Sequence, residues 1–468
     1  MPRGPVLAIV ALPAAFAAAL AQSPNAGAPA VPPAADIALT NVRIVAAPGR
    51  VIERGTVLTR NGRIAAVGAT VNIPAGTVQM DMAGHTVYPG LIDAATSIGL
   101  PNPTREVPAA TVAQAGAPAG GGGRGGRGGG GAAGRGGAGA ARGSTPLPPA
   151  VIPELDASAE AADMFQPTSE ELKALRAGGV TTVGLVFNGG IFPGRVGAAL
   201  TGNRDEARLA LRNSVGQEVA FGTRRGGVYP NAGIGTFALI RQSFLDAQYE
   251  IRLDKAMRAG TPGARPSNDP FTRALMPTAA NEMPAWFLAS SEREMTRVAE
   301  IAKEMGLKNP VVVGAREGWR SIATLKQSGA TAVVSLEWPA VDSVTGHEFL
   351  KLGATRLAAG APDPTAGLVK ANAAALAKAG VPVALASFGG AGGATFRDRI
   401  RASIEAGLSP DDALRAATIT PATVLGIASS VGTIEPGKLA NLVVVTGNDL
   451  FASGNPITHV FIEGRLYQ

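Results

Sequence analysis

The sequence predicts an α/β protein built from a (β/α) barrel and a small β-sandwich that both ends of the chain form together. Two features of the chain indicate this fold class. Helical segments alternate with short apolar strands over most of its length, a rhythm typical of a parallel barrel. Short β-branched runs separated by turn residues precede and follow that region. With 468 residues, the chain is long enough for a barrel and one smaller domain.

The first residues are typical of a secretory signal. Arg3 gives a positive start, residues 6–20 are apolar, and a small-x-small cleavage site ends at Ala21. We expect residues 1–21 to be removed on export to the periplasm or the cell exterior, with a Pro/Ala-rich linker at 22–35. An uncleaved membrane anchor is disfavoured because the run is short and contains Pro13, and no stable membrane span is expected. The chain has no cysteine, which excludes disulfides and thiolate metal ligands.

Two β segments are predicted at the chain ends, at residues 36–85 and 431–468. In the first, Asn61-Gly62 lies between apolar runs and is a strong hairpin signal. The second likewise consists of short predicted strands separated by turn residues, with a turn at Pro436-Gly437 and a closing strand over Thr458–Leu466. We expect these segments to form the two parts of the sandwich.

Between them, residues 86–430 are predicted to form the barrel. Its first strand is a buried run over Thr86–Asp93 that contains Pro89-Gly90. The segment TSEELKALRAGG then predicts a helix with Thr168 as its N-cap and Glu171 completing a capping box, followed by the apolar strand VTTVGLVF. The same order recurs in SSEREMTRVAEIAKEMG with PVVVGA, GWRSIATLKQSGA with TAVVSLEW, and TAGLVKANAAALAKAG with VPVALAS.

A Gly/Arg-rich insert interrupts the barrel at residues 110–150. Its composition offers too little apolar surface to offset the entropy of ordering it, so we expect disorder. It follows the strand that ends at Asp93, near the face on which barrels carry active sites. The formal charge is +7; Arg3 lies in the predicted signal and four arginines lie in this insert, which leaves +2 for the rest. The basic character is therefore local, and because the tract has no aromatic residue, no nucleic-acid partner is expected.

Three stretches carry a family resemblance: TVYPGLIDA, AGLSPDDALRAATITPATVLGI and VGTIEPGKLANLVVV. Through them the chain resembles the amidohydrolase superfamily, in particular its secreted imidazolonepropionase-like members, over most of residues 36–468 outside the insert. The resemblance implies a (β/α)8 TIM-like barrel with a composite β-sandwich. It also implies hydrolysis of C–N bonds by water bound to one or two divalent metals, whose ligands converge from several strand ends.

The positions where the family carries metal ligands hold other residue types here. The resemblance places the first-strand His-X-His pair at Ala95 and Ser97, and the fifth-strand histidine at Leu288. It places the sixth-strand histidine at Gly314 and the eighth-strand aspartate at Phe388. These side chains do not replace imidazole or carboxylate, so no metal cofactor is expected; zinc or another divalent metal is the alternative.

Five polar residues are candidates for a role in the cavity: Asp93, Asn188, Arg316, Glu317 and Glu337. Arg316 and Glu317 follow the predicted sixth strand, Glu337 ends the seventh and Asn188 the second. In the simpler interpretation Arg316 and Glu317 form a solvated pair, Glu337 accepts a local hydrogen bond, and Asp93 fixes the loop after the first strand. Catalysis by paired acids needs a spacing that the sequence does not give.

The chain has three histidines, His85, His347 and His459. His85 lies in a turn before the first barrel strand, His347 after the seventh, and His459 on the last sandwich strand. Their segments are not expected to converge, so surface or hydrogen-bonding roles are predicted for all three.

These observations predict an exported protein with a degenerate metal site that binds a small-molecule ligand, or that forms a homo-oligomer or pairs with an active amidohydrolase relative. One alternative is an active hydrolase of carbon-nitrogen bonds, in dipeptides or non-peptide compounds. A second is a polyanion-binding surface protein that works through the Arg/Gly tract.

Overall fold

The computed structural model describes residues 35–101, 155–187, 189–203, 209–222, 229–267, 269–338, 366–388 and 392–467. Two eight-stranded sheets organise them, which we name the chain-end sheet and the barrel sheet. The predicted signal, nearly all of the linker and the Gly/Arg-rich insert lie outside these residues, as do Asn188 and His347.

The chain-end sheet takes strands from both ends of the chain, in the order β16-β15-β14-β5-β1-β2-β3, with β4 paired to β1. Its apolar side chains form a core of their own that includes Leu39, Ile44, Val87 and Phe461. Its strands are β1 (Ile37–Ala47), β2 (Arg50–Arg60), β3 (Arg63–Gly68), β4 (Val78–Asp81), β5 (His85–Pro89), β14 (Leu442–Thr446), β15 (Ile457–Ile462) and β16 (Arg465–Leu466).

Two turns of this sheet test the sequence predictions. Asn61 and Gly62 have φ values of 50° and 76°, as the predicted tight hairpin requires, and they join β2 to β3. The predicted single closing strand over Thr458–Leu466 is wrong. Glu463, with φ of 48°, and Gly464 turn the chain so that β15 and β16 pair as an antiparallel hairpin.

The predicted strand over Thr86–Asp93 is in fact two strands in different sheets. β5 ends at Pro89 in the chain-end sheet, and the barrel sheet begins with Leu91. At Gly90 a Cβ atom would lie 2.1 Å from the Thr181 Oγ1 atom, so the backbone passes where no larger residue fits. The chain therefore crosses between the sheets at Gly90 rather than before Thr86.

The barrel sheet is nearly closed, with the order β13-β12-β11-β10-β9-β8-β7-β6. Its ends meet where the Phe388 N–H donates to the Ala95 carbonyl at 3.1 Å. The predicted fold class, a TIM-like barrel with a second sheet from both chain ends, is confirmed. The barrel strands are β6 (Leu91–Thr96), β7 (Val180–Leu185), β8 (Arg195–Leu200), β9 (Ala210–Ala220), β10 (Ala285–Ala289), β11 (Val311–Gly314), β12 (Thr331–Ser335) and β13 (Val383–Ala386).

One strand departs from the expected all-parallel arrangement. β8 pairs antiparallel with both β7 and β9, whereas the described pairs on either side of this triplet are parallel. The links at residues 186–194 and 201–209 are too short for crossover helices, so the chain reverses direction instead. Neither β8 nor β9 was predicted from the sequence.

The helices surround the barrel sheet, and the first of them was predicted in detail. The Thr168 side chain accepts from the Glu171 N–H at 3.2 Å, and the Glu171 carboxylate accepts from the Thr168 N–H at 2.7 Å, which confirms the capping box. Within the described ranges, no helix is both long and apolar enough to cross a membrane. The helices are α1 (Ser169–Ala177), α2 (Gly233–Arg258), α3 (Pro270–Ala279), α4 (Glu292–Met305), α5 (Ile322–Gln327), α6 (Ala366–Lys378), α7 (Gly392–Glu405), α8 (Pro410–Ala416) and α9 (Ile419–Val424).

Candidate functional site

The carboxyl ends of β6 and β10 to β13 lie at one edge of the barrel sheet, because these strands run in the same direction. In barrels this edge carries the active site. We call it the barrel mouth. The sequence-predicted site residues with described positions lie within these strands or up to three residues after them.

Asp93 lies at the seam where β6 meets β13, and it is fully buried. Its Oδ1 atom accepts hydrogen bonds from the Ser387 N–H at 2.9 Å and the Ala95 N–H at 3.3 Å. The Ser387 hydroxyl bonds to its other oxygen, Oδ2. Burial raises the pKa of Asp93 from 3.8 to about 7, although these hydrogen bonds oppose the rise. The carboxyl group thus links β6 to the residue that follows β13.

The end of β11 has a backbone that disfavours a side-chain ligand. Gly314 has φ of 104°, a conformation that residues with a Cβ rarely adopt. A Cβ atom there would lie 2.7 Å from the Ser290 Oγ atom and 3.3 Å from the Ala289 carbonyl oxygen. Ser290 therefore occupies the space that a side chain at position 314 would need.

The fifth- and sixth-strand positions that the resemblance implies are not opposite each other in the sheet. Leu288 pairs with Val313, whereas Ala289 pairs with Gly314. Neighbours in register share a face of a sheet and successive residues alternate, so Leu288 and Gly314 face opposite sides. Ala289 has no ligand atom either. Neither Leu288 nor Ala289 could therefore bind a metal from this strand.

The remaining ligand positions are occupied by packing residues. Ala95 is fully buried and its carbonyl accepts from Phe388, which has a left-handed φ of 55°. The Phe388 side chain is half-buried against the barrel core, and Ser97 is half-buried after β6. The hydrogen bond between the Phe388 N–H and the Ala95 carbonyl thus fixes the backbone on both sides of the seam between β6 and β13.

A catalytic divalent metal needs several nitrogen or carboxylate ligands that converge on one point. Ala95, Leu288, Gly314 and Phe388 offer no such atoms, and Ser97 offers only a hydroxyl. Throughout the described residues, no three His, Cys, Asp or Glu side chains are grouped so that they could hold a metal ion. These residues do not fit the metal centre that the family resemblance implies.

The predicted Arg316 and Glu317 pair is wrong, because the two side chains have different partners. Arg316 Nη2 donates to Glu337 Oε2 at 3.0 Å, which links the ends of β11 and β12. Glu317 is buried, and its Oε2 atom accepts from the Glu292 N–H at the start of α4. A carboxylate there is favoured by the helix dipole, so Glu317 has a local structural role.

Two cations flank Trp338, three residues beyond the end of β12. The Arg399 guanidinium lies 5.6 Å from the centre of the Trp338 ring, and the Lys370 amine lies 5.7 Å from it. Arg399 also donates to the Leu336 carbonyl at 2.7 Å. Trp338, Lys370 and Arg399, together with the Arg316 and Glu337 pair, form what we call the Trp338 cluster.

A buried acid that was not predicted from the sequence lies on β9. Glu218 is fully buried; its Oε2 atom accepts from the Phe187 N–H at 2.8 Å, and its Oε1 atom has no partner among the described residues. Burial raises the pKa of Glu218 well above 4.5. The available signal was an acid in the otherwise uncharged run VGQEVA.

The expectation that no histidines converge is also wrong for one pair. The His85 and His459 rings lie with their centres 6.4 Å apart on the chain-end sheet. They lie on β5 and β15 of the chain-end sheet and not on strands of the barrel sheet.

Comparisons with known proteins agree with this architecture. Residues 368–467 match the amidohydrolase family model. An amidohydrolase from Thermotoga maritima MSB8 is 22% identical with a TM-score of 0.67, over 92% of this chain and 99% of that one. A prolidase complexed with N-methylphosphonate-L-proline is 16% identical with a TM-score of 0.50, over 92% and 99%. Molinate hydrolase is 15% identical with a TM-score of 0.50, over 93% and 95%.

A comparison with curated protein sequences finds no significant match. The match to the family model covers the C-terminal part of the chain, and the identities to the solved structures are low. The structural likeness therefore establishes the fold, and the activity must be argued from the site itself.

Proposed function

We propose that this chain is an exported protein of the amidohydrolase type that has lost metal-dependent hydrolysis and binds a small anionic molecule at its barrel mouth. The observation that carries the loss of hydrolysis is the end of β11. There a left-handed Gly314 and the Ser290 hydroxyl fill the position where a ligand side chain would start.

Backbone geometry as well as residue type opposes a metal ligand at the end of β11. A simple loss of ligands by point substitution would leave a backbone able to carry a histidine. At Gly314 the φ of 104° and the 2.7 Å approach of Ser290 both oppose a side chain. The strand end thus favours glycine over a residue with a metal-binding side chain.

The Trp338 cluster supports the ligand-binding part of the proposal. Glu337 is neutralised by Arg316, while Lys370 and Arg399 have no carboxylate partner within the described residues. Two cations beside an aromatic face suit a small anion with a planar or apolar part, such as an aromatic or aliphatic carboxylate. Trp338 follows β12, so the two cations beside it lie at the barrel mouth.

Ligand binding can be tested through Trp338 fluorescence. Trp286 is fully buried and Trp319→Phe removes the remaining indole, so quenching would report on Trp338. We expect saturable quenching by benzoate or citrate, weakened about fivefold (about 1 kcal/mol) in Lys370→Ala. Lys378→Ala, at the other end of α6, is the matched control and should bind as the parent does. Equal binding by both variants would remove the cluster from the proposal.

Loss of hydrolysis can be tested by partial restoration of the family pattern. Ala95→His with Ser97→His should restore no turnover of dipeptides, cyclic amides or lactones with added zinc, because the other strand ends still lack ligands. Chelator-sensitive turnover by the parent chain would refute the proposal. Turnover only in the double variant would show that the remaining site is more complete than we infer.

The second candidate function is a hydrolase of C–N bonds that acts without these ligands. It is favoured by one observation, the carboxyl group of Asp93 with a pKa of about 7, which suits a general base. Opposing it, Asp93 is fully buried and both its oxygens are engaged by Ser387 and Ala95. Activity in the parent that disappears in Asp93→Asn would favour this candidate.

Export and assembly are further parts of the proposal. Residues 1–21 have the features of a cleaved secretory signal, so the mature chain should begin at Gln22. N-terminal sequencing that finds Met1 on cytosolic protein would contradict this. Self-association or pairing with an active relative is compatible with a non-catalytic barrel, and light scattering of the purified chain tests the first.

A further inference from the structure

Two of the three histidines meet on the chain-end sheet although they lie near opposite ends of the chain. β5 and β15 both pair with β14, where Thr446 is opposite His85 and Val444 is opposite His459. Opposed residues share a face of the sheet, and so do residues two apart on one strand. Both imidazoles therefore project from the same face, with ring centres 6.4 Å apart.

Each ring has one nitrogen anchored by the protein. His85 Nδ1 lies 3.1 Å from the Ala83 carbonyl oxygen, and His459 Nδ1 lies 3.0 Å from Thr458 Oγ1. A carbonyl oxygen only accepts, so in neutral His85 the proton is on Nδ1 and Nε2 keeps its lone pair. An imidazole that is held at one nitrogen in this way is prepared to bind a metal through the other.

The separation of the rings suits a shared ion. A metal lies about 2.0–2.1 Å from an imidazole nitrogen, so it lies roughly 3 Å from each ring centre. Two rings on one ion are then separated by up to about 6 Å, which a small rotation of either side chain attains. His459 is further oriented by stacking on Phe461, with ring centres 6.3 Å apart and planes 9° from parallel.

We propose that His85 and His459 form a two-histidine binding site for one transition-metal ion, with copper(II) bound more tightly than zinc(II). Imidazole nitrogen suits both ions, and affinity for such a site is highest for copper(II) among the divalent first-row metals. No third His, Asp or Glu joins the pair among the described residues, so water completes the coordination.

This site is independent of the barrel mouth. It lies on strands of the chain-end sheet, and its residues are not among the positions at which the resemblance places metal ligands. Copper binding here would therefore leave the proposed loss of barrel hydrolysis unchanged, and absence of copper binding would not restore it.

The test uses the full chain without a polyhistidine tag, freed of metal with a chelator and dialysed against copper(II) chloride or zinc(II) chloride. We expect one bound copper per chain, with nitrogen coupling in its electron paramagnetic resonance spectrum, and weaker zinc binding. His85→Ala and His459→Ala should each weaken copper binding at least about tenfold, because each removes one of two protein ligands. His347→Ala is the matched control and should bind as the parent does.

The outcomes separate the proposal from its alternatives. Binding that persists in both His85→Ala and His459→Ala, or that is lost in His347→Ala, would overturn it, as would no binding by the parent. If either alanine variant fails to fold by circular dichroism, His85→Gln and His459→Gln keep a polar side chain of similar reach and answer the same question. Tighter zinc than copper binding would contradict the stated order of metals.

Discussion

The seam between β6 and β13 and the Trp338 cluster lie at the same edge of the barrel, yet they use charged groups in opposite ways. At the seam, Asp93 is fully buried and its oxygens are engaged by Ser387 and the Ala95 backbone. In the cluster, Lys370 is exposed and Arg399 is half-buried beside the Trp338 ring. A buried, fully bonded carboxyl group contributes to structure, whereas partly exposed cations beside an indole are available to a ligand.

The largest effect expected at the seam is a dependence of stability on pH. The folded-state pKa of Asp93, about 7, is above the unfolded value of 3.8, so folding favours the protonated form. Its favourable contribution is complete below about pH 3.8 and is lost as pH rises through 7, for a total of about 4 kcal/mol. The measurement is urea unfolding between pH 4 and 8.5, compared with Asp93→Asn.

Asp93→Asn is the control because its amide mimics the protonated acid. Its Oδ1 can accept from the two N–H groups and its Nδ2 can donate to the Ser387 hydroxyl. The difference in unfolding free energy between parent and variant should grow with pH in favour of asparagine. A constant difference would show that Asp93 does not titrate in this range.

Asp93→Ala should destabilise the chain by about 3 kcal/mol at pH 5, because the buried N–H groups of Ala95 and Ser387 lose their acceptor. Asp93→Asn at the same pH should change stability far less. Denaturant midpoints of the two variants provide the measurement, and similar losses in both would show that an acceptor oxygen for these two N–H groups does not account for the effect.

A smaller effect is expected where β11 ends. Gly314→Ala should cost about 2 kcal/mol, since it adds strain at φ of 104° and a close approach to Ser290. Gly380→Ala is the matched control, with φ of 78° and no atom within 4 Å of the added Cβ, and should cost about 1 kcal/mol. If thermal unfolding shows Gly314→Ala to be the milder change, the space at position 314 is not as restricted as proposed.

The smallest effect concerns the ion pair of the cluster. A double-mutant cycle with Arg316→Ala and Glu337→Ala should give a coupling energy below about 1 kcal/mol, because both side chains are partly exposed. A coupling several times larger would mean that the pair holds the ends of β11 and β12 together. The ion pair would then have a structural role, as Asp93 has at the seam.

Local signals in the sequence predicted their structures well. The capping box of Thr168 and Glu171 and the hairpin at Asn61-Gly62 depend on residues a few positions apart. Two other features of the fold were not predicted, because they depend on the arrangement of whole strands. The Thr86–Asp93 run divides at Gly90 because its two halves join different sheets. The direction of β8 depends on short links that exclude a crossover helix.

The site was less predictable, because partners there are chosen across strands. Arg316 pairs with Glu337 on the next strand rather than with the adjacent Glu317, whose side chain reaches the start of α4. His85 and His459 meet only because β5 and β15 share β14 as a neighbour. The spacing of these residues along the chain does not predict either pairing.

The central claim is that the barrel mouth holds no catalytic metal, and metal analysis of the His85→Ala, His459→Ala double variant tests it most directly. This variant removes the two-histidine site, so any stoichiometric metal would have to lie elsewhere. Purified without added metal, it should contain no stoichiometric zinc, iron or manganese, and chelator should leave its melting temperature unchanged. One equivalent of tightly held metal, with chelator-sensitive hydrolysis of a dipeptide or cyclic amide, would contradict the account.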